Sequence, residues 1–226
     1  MSQLALPLRL ADHAVFGSFW PAGNEAVVAM LESLASGGDG PGCWLWGAPA
    51  TGKTHLLQAV CERLGDRAMY LPLGQLASAG PGILDGVAAR SFVCIDDIDH
   101  SAGRPDWELA LFDLCNQLAD AGGTLLAAAR MAPRECAIEL PDLQSRLTRL
   151  PVFRVQALPE PERVRALQLR ARHRGLDLPD ETARYLLGRS RRDMASLYRL
   201  LDELDAAALK AQRRLTIPFV REVMSV

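Results

Sequence analysis

Lysine is almost missing from this chain. Of its 25 basic side chains only Lys53 and Lys210 are lysines, and arginine supplies the rest. A sequence so poor in lysine that still places one inside a glycine-rich turn directs attention to that turn. Long apolar runs are missing as well, and nothing approaches the roughly 20 residues a membrane-spanning helix requires. No basic N-terminal stretch leads into an apolar one, so no secretory signal is expected. The cysteines give no pairing pattern: Cys43, Cys61, Cys94, Cys115 and Cys136 are odd in number, scattered, and without CxxC or Cys/His spacing. That excludes a zinc module or redox pair read from spacing, and suits small buried hydrophobes in a reducing compartment. The expected location is the cytoplasm. Repeats and low-complexity tracts are absent too.

What remains is an ordinary globular composition, with 49% apolar and 23% charged residues in 226. Such a length suits one large domain, or a core with a small appendage. The net charge of −2 asks for neither a nucleic-acid nor a membrane-surface partner. It is unevenly spread: residues 1–155 carry 11 basic and 17 acidic side chains (−6), residues 156–226 carry 14 and 10 (+4). A mild excess on helices reads as solvated surface, so no direct sequence-specific DNA binding is expected.

Apolar spacing from Asn24 to Leu34 predicts a helix that the SGGDGPG run breaks. Short apolar runs at 43–46, 68–73, 91–95, 124–128 and 152–155 read as strands. Helical patterns at 54–64, 106–121 and 142–147 fall between them. This alternation predicts an α/β fold with a parallel sheet covered on both faces. Beyond Pro159 no strand-like run occurs, only helical segments at 162–173, 180–187, 193–211 and from Pro218. The expected organisation is an N-terminal peptide (1–10), a nucleotide-binding α/β core (11–156) and a small all-helical lid (157–226).

Two motifs carry chemistry. Gly47-Ala48-Pro49-Ala50-Thr51-Gly52-Lys53-Thr54, followed by His55, fits G-x-x-x-x-G-K-[ST] between a strand and a helix. The glycines let backbone N–H groups turn inward toward β- and γ-phosphates. Lys53 neutralises phosphate oxygens, the Thr54 hydroxyl ligates Mg²⁺, and the helix N-terminus adds positive potential. A chance glycine-rich turn is the bland alternative, and the strand–helix context argues against it. The second motif is Phe92-Val93-Cys94-Ile95-Asp96-Asp97. A buried strand ending in an acid delivers a carboxylate to the sheet edge, so Asp96 is expected beside Mg²⁺ and Asp97 as the base toward water. Asp97 is a methylene shorter than glutamate and reaches poorly. The adenine pocket is unreadable, with Phe16 and Phe19 suiting the core equally well.

With these motifs in place, the chain resembles the DnaA branch of the AAA+ ATPases over nearly its whole length. GAPATGKTHLL, FVCIDDID, LPDLQSRL, SRRDMASLYRLLDELD and LTIPFVREVM carry the resemblance. It implies a P-loop three-layer α/β/α core followed by a helical lid. Within that branch the chain looks like the regulatory inactivators of the initiator DnaA, which inhibit replication initiation. No helix-turn-helix domain is expected past the lid, since the sequence ends at Val226. By position, Arg146 matches the arginine finger that reaches a neighbour's nucleotide, and Arg192 the lid arginine that touches the chain's own nucleotide. Arg189 and Arg191 are the alternatives to Arg192. One departure stands out: Ala129 occupies the expected place of the polar residue that positions the attacking water. With the short Asp97, this implies a bound nucleotide, ATP or ADP, with weak self-hydrolysis.

Gln3-Leu4-Ala5-Leu6-Pro7-Leu8 looks like the sliding-clamp-binding peptide of replication proteins. Pro7 favours an extended backbone, Leu6 and Leu8 suit apolar pockets, and Gln3 can bond at the rim. An N-terminal strand packed on the core is the plainer alternative. The implied function is a clamp-tethered regulator that presents Arg146 to ATP-bound DnaA. A helicase loader of the DnaC/IstB type and a pure binding adaptor are the alternatives, and a homo-oligomer is possible. A terminal tether contributes little packing. Gln3→Ala with Leu6→Ala is therefore expected to abolish clamp binding in a pull-down with purified clamp while leaving the melting temperature nearly unchanged. A markedly lower melting temperature would make the hexapeptide part of the fold.

Overall fold

The short apolar runs form one parallel sheet. In the computed structural model, which describes residues 14–38, 40–189 and 194–224, the strands are β1 (Gly42–Trp46), β2 (Ala68–Pro72), β3 (Phe92–Asp96), β4 (Thr124–Ala129) and β5 (Val152–Arg154). Their order is β2-β3-β4-β1-β5, with every pairing parallel. Alternate side chains feed two separate cores. Trp44, Val93, Ile95, Leu125 and Ala127 pack with α4 (Pro105–Asp120) and α5 (Pro141–Leu147). Cys43, Leu45, Phe92, Cys94 and Leu126 pack with α1 (Glu25–Ala35) and α2 (Lys53–Leu64). Burial on both faces explains why these strands read as continuous apolar runs instead of alternating ones. The α/β/α layering expected from the sequence is present.

The crossover from β2 to β3 carries no long helix. In place of a full helix it has α3 (Leu73–Leu76) and single 3₁₀ turns such as Pro81–Leu84 and Val87–Ala89. Gly80 and Gly86 both adopt positive φ here, which interrupts helical continuation. Leu76, Leu84 and Val87 still close the core on that side.

After β5 the chain builds a third core from α6 (Glu160–His173), α7 (Asp180–Arg189), α8 (Met194–Ala211) and α9 (Ile217–Met224). Leu167, Leu186, Leu197, Leu201, Leu204 and Phe219 form its centre. Buried Asn24 ties the segment before α1 to the linker after β5: its Oδ1 accepts the Gln156 N–H at 2.8 Å and its Nδ2 donates to the Gln156 carbonyl at 3.1 Å. Trp20 Nε1 donates to Glu162 Oε2 at 2.6 Å and so fixes the same segment to α6. All five cysteines are free thiols, and burial pushes Cys43 up to about 12. Among the described residues no helix is long and apolar enough to cross a membrane.

Gly42 opens β1 at φ +95°, pressed against the backbone of Leu125 on β4. A Cβ there would collide with the Leu125 carbonyl. Gly42→Ala is expected to cost at least about 3 kcal/mol from backbone strain plus overpacking. Thermal unfolding should show a drop of roughly 6–12 °C. An unchanged melting temperature would contradict this close approach of β1 to β4.

Candidate nucleotide site

The loop from Gly47 to Gly52 joins β1 to α2 at the carboxyl edge of the sheet, and its geometry depends on positive φ. Gly47 lies at φ +152°, where a side chain would strike the Val155 carbonyl. Gly52 lies at φ +104°, and a Cβ would come within 2.7 Å of the Phe19 ring. Ala50 also has positive φ, at 61°. Thr51 Oγ1 donates to the Ala48 carbonyl at 3.0 Å and tightens the curl. No side chain caps the start of α2, so its first-turn N–H groups face the cleft as an anion site. Lys53 is only 7% exposed, and its Nζ donates to the carbonyls of Gly47 (2.7 Å) and Ala48 (2.9 Å). Burial lowers its pKa, against the opposing field of Asp96, Asp97 and Asp99. A buried ammonium beside an uncapped helix N-terminus fits a polyphosphate.

β3 delivers the acids. Asp96 is buried and accepts hydrogen bonds from the Tyr70 hydroxyl at 2.9 Å, the Asp97 N–H at 3.1 Å and the Thr54 hydroxyl. Burial raises its pKa, and these donors oppose the rise. Tyr70, on β2, is pushed up by burial and then by Asp96, and it also bonds Gln58 of α2. The Thr54 hydroxyl and Asp96 carboxylate form a hard-oxygen pair at the phosphate loop, the donor chemistry Mg²⁺ takes. Asp97 turns into the left-handed region at φ 53° and lines the cleft. Its carboxylate lies close to Gly74, where a Cβ would approach within 2.8 Å.

At the end of β4 the structure separates two neighbours. Ala129 is fully buried in the sheet, while the next residue, Arg130, lines the cleft and reaches within 3.9 Å of Asp99. A polar side chain thus borders the cleft one position after Ala129.

The cleft encloses about 480 Å³. One wall is apolar, built from Phe19, Trp20, Leu158, Met194 and Tyr198, and this answers the question of the two phenylalanines. Phe16 is core, and Phe19 faces the cleft. The His55 ring links core and lid: its Nε2 bonds the Val15 carbonyl at 2.9 Å, and its Nδ1 meets Arg170 of α6 at 3.3 Å. Arg170 is 6% exposed, and its guanidinium stacks on Tyr198 of α8 at 4.8 Å. The loop residues Pro49 to His55, together with Asp97, are therefore gathered at one cleft. Arg146 is not among the residues that line it; it lies exposed in the last turn of α5. Arg192, Arg191 and the hexapeptide residues Gln3, Leu4, Leu6, Pro7 and Leu8 fall outside the described residues. Sequence reading missed Tyr70, Arg130 and Arg170, none of which has a spacing motif.

Residues 160–224 match the family model described as "Hda, lid domain". The whole architecture is similar to domain III of the Thermotoga maritima replication initiation protein DnaA, with TM-score 0.76 and 19% identity over 96% of this chain and 98% of that one. Residues 160–224 are thus an Hda-type lid, and the chain has the α/β AAA+ fold of DnaA domain III. AMPPCP-bound DnaA from Aquifex aeolicus superposes with TM-score 0.69 at 20% identity, covering 85% of this chain and 65% of that one. The Thermotoga maritima RuvB Holliday junction branch migration motor gives TM-score 0.63 at 17% identity, covering 90% and 69%. At these identities the likeness to solved structures is one of fold. In this AAA+ frame the His55–Arg170 contact joins the first turn of α2 to the Hda-type lid.

Burial, and next the positive charges of Arg170 and His173, lower the His55 pKa to about 4, while the Val15 carbonyl opposes them. Unfolded, the same ring takes up its proton near the ordinary 6.5. The folded protein therefore binds fewer protons between these values, and stability present above 6.5 is lost as pH falls toward 4. From pH 7 to pH 5 this one group should cost on the order of 2 kcal/mol. His55→Asn keeps a donor and an acceptor but does not titrate. Urea unfolding at the two pH values should show a smaller acid loss in that variant, and equal losses would rule out a neutral buried His55.

Proposed function

We propose that this chain is a nucleotide-bound regulator of replication initiation. In this reading it stimulates ATP hydrolysis by DnaA, and so inactivates it, while tethered to the sliding clamp. The observation that carries the reading is the placement of Arg146. An arginine serving its own nucleotide would line its own cleft. Arg146 stands exposed on α5 outside it, as a residue that acts across an interface would. The Hda-type lid and the DnaA-like core support the same reading.

In this proposal residues 11–156 are the nucleotide-binding core and 157–226 the lid. Gly47 to Thr54 and the start of α2 at His55 hold the phosphates of ATP or ADP, and Arg192 touches them from the lid. The AMPPCP bound to Aquifex DnaA supports a nucleotide here. Thr54 and Asp96 hold Mg²⁺, which when bound supplies positive charge to the phosphate oxygens. Asp97, short and turned into a left-handed backbone, orients water poorly, so hydrolysis by the chain alone is slow. Gln3, Leu4, Leu6, Pro7 and Leu8 dock on the clamp, and the protein works in the cytoplasm.

The rigid guanidinium of Arg146 neutralises charge that grows on the phosphoryl group leaving DnaA's nucleotide. Arg146→Ala should fold, bind nucleotide and bind the clamp like the parent. It should lose most of the stimulation, since fingers supplied in trans account for about 10³–10⁵ in rate. Single-turnover hydrolysis of ATP pre-bound to DnaA, with clamp and DNA present, decides the matter. Full stimulation by Arg146→Ala would refute the mechanism, and steady turnover by the chain alone would favour a loader of the DnaC/IstB type.

A further inference from the structure

Glu108 lies in the first turn of α4 and is 1% exposed, yet it takes no part in the nucleotide site. Its oxygens are spent on backbone donors. Oε1 accepts from Gly103 N at 2.8 Å and Glu139 N at 3.1 Å, while Oε2 accepts from Glu139 N at 3.0 Å and Leu140 N at 2.7 Å. Leu140 is the N-cap residue of α5, and its apolar side chain makes no cap hydrogen bond. Pro141 follows at the first helical position. The sequence LPDLQSRL therefore lacks a cap of its own, and a neighbouring helix lends one. An acceptor at a helix start both satisfies orphan N–H groups and opposes the positive end of the helix dipole. α5 is short and ends with Arg146 in its last turn.

The same carboxylate reaches the other way. Gly103 closes the turn that follows Ile98–Ser101, the segment entered through Asp97 at the edge of the nucleotide cleft. One buried group thus bonds both the turn that leads into α4 and the start of the helix that carries Arg146.

We propose that Glu108 is a positioning residue for Arg146: it fixes where α5 begins relative to the nucleotide cleft, and so where the guanidinium is presented to a neighbouring nucleotide. This rests on the reading of Arg146 as a residue that acts in trans. Three N–H donors converge on two oxygens, and an amide at this position could offer only one of them. In Glu108→Gln the NH₂ group would face at least one backbone N–H, and a donor facing a donor cannot bond. The helix would lose part of its cap while the hydrophobic packing of α4 against α5 stays in place.

The test compares the parent, Glu108→Gln, Arg146→Ala and the double variant as full chains. Amide hydrogen exchange in the absence of DnaA should rise in Glu108→Gln at least tenfold at Glu139 and Leu140 and spread to Arg146. Nucleotide affinity should stay within threefold of the parent. At saturating protein the maximal stimulated rate of DnaA hydrolysis should fall at least tenfold, with the half-saturating concentration unchanged. Adding Glu108→Gln to Arg146→Ala should bring no further loss. Unchanged exchange over 139–147 overturns the proposal, and so does a further loss in the double variant. A fully active Glu108→Gln beside an inactive Arg146→Ala overturns it alone. Full activity of Arg146→Ala removes the underlying reading together with it.

Discussion

Lys53 keeps its ammonium buried at the open edge of the sheet, and a charge taken out of water must be compensated. Within the chain the compensation comes from the Gly47 and Ala48 carbonyls, and more distantly from Asp96, Asp97 and Asp99. Much of the surrounding geometry follows from this. The loop can fold its carbonyls onto the cation because Gly47 and Gly52 accept positive φ where a side chain would collide with Val155 or Phe19. The acids stand in range because β3 and β1 lie on either side of β4 in a parallel sheet, which brings their carboxyl ends to one edge. Fold topology and site electrostatics are here a single constraint.

The lid is joined to this arrangement by contacts of another kind. Asn24 with Gln156, Trp20 with Glu162, and His55 with Arg170 each bridge the core side to the linker or to α6. All three involve the segment before α1, the linker or the first turn of α2, and all surround the cleft. A neutral His55 suits its place, since a protonated ring would confront a guanidinium at bonding distance. Whatever alters the first turn of α2 is therefore felt directly by α6.

Legibility in the sequence followed contact range. The phosphate loop was readable because its residues are consecutive, and Asp96 because a buried strand must end somewhere and its ending is polar. The strands were readable from local apolarity, and the helical lid from the loss of it. Tyr70 was not, since its bond to Asp96 spans 26 residues and depends on which strands pair. Glu108 was not, because Glu139 and Leu140 lie 31 and 32 residues away and only the packing of α4 on α5 brings them near. Ala129 and Arg130 show a finer limit. A motif names the strand end, but which residue leaves the sheet depends on where pairing stops, and Ala129 is still paired with Trp46.

The scarcity of lysine acquires a practical meaning once burial is known. Lys53 is enclosed by the loop carbonyls, and Lys210 is exposed near the end of α8. Apart from the terminal amine, an acylating dye or a surface-coupling reagent therefore meets one open amine, on the lid. A conjugated fluorophore would report from α8 without touching the nucleotide loop. Because arginine carries nearly all the remaining positive charge, such chemistry would leave the rest of the protein's electrostatics intact.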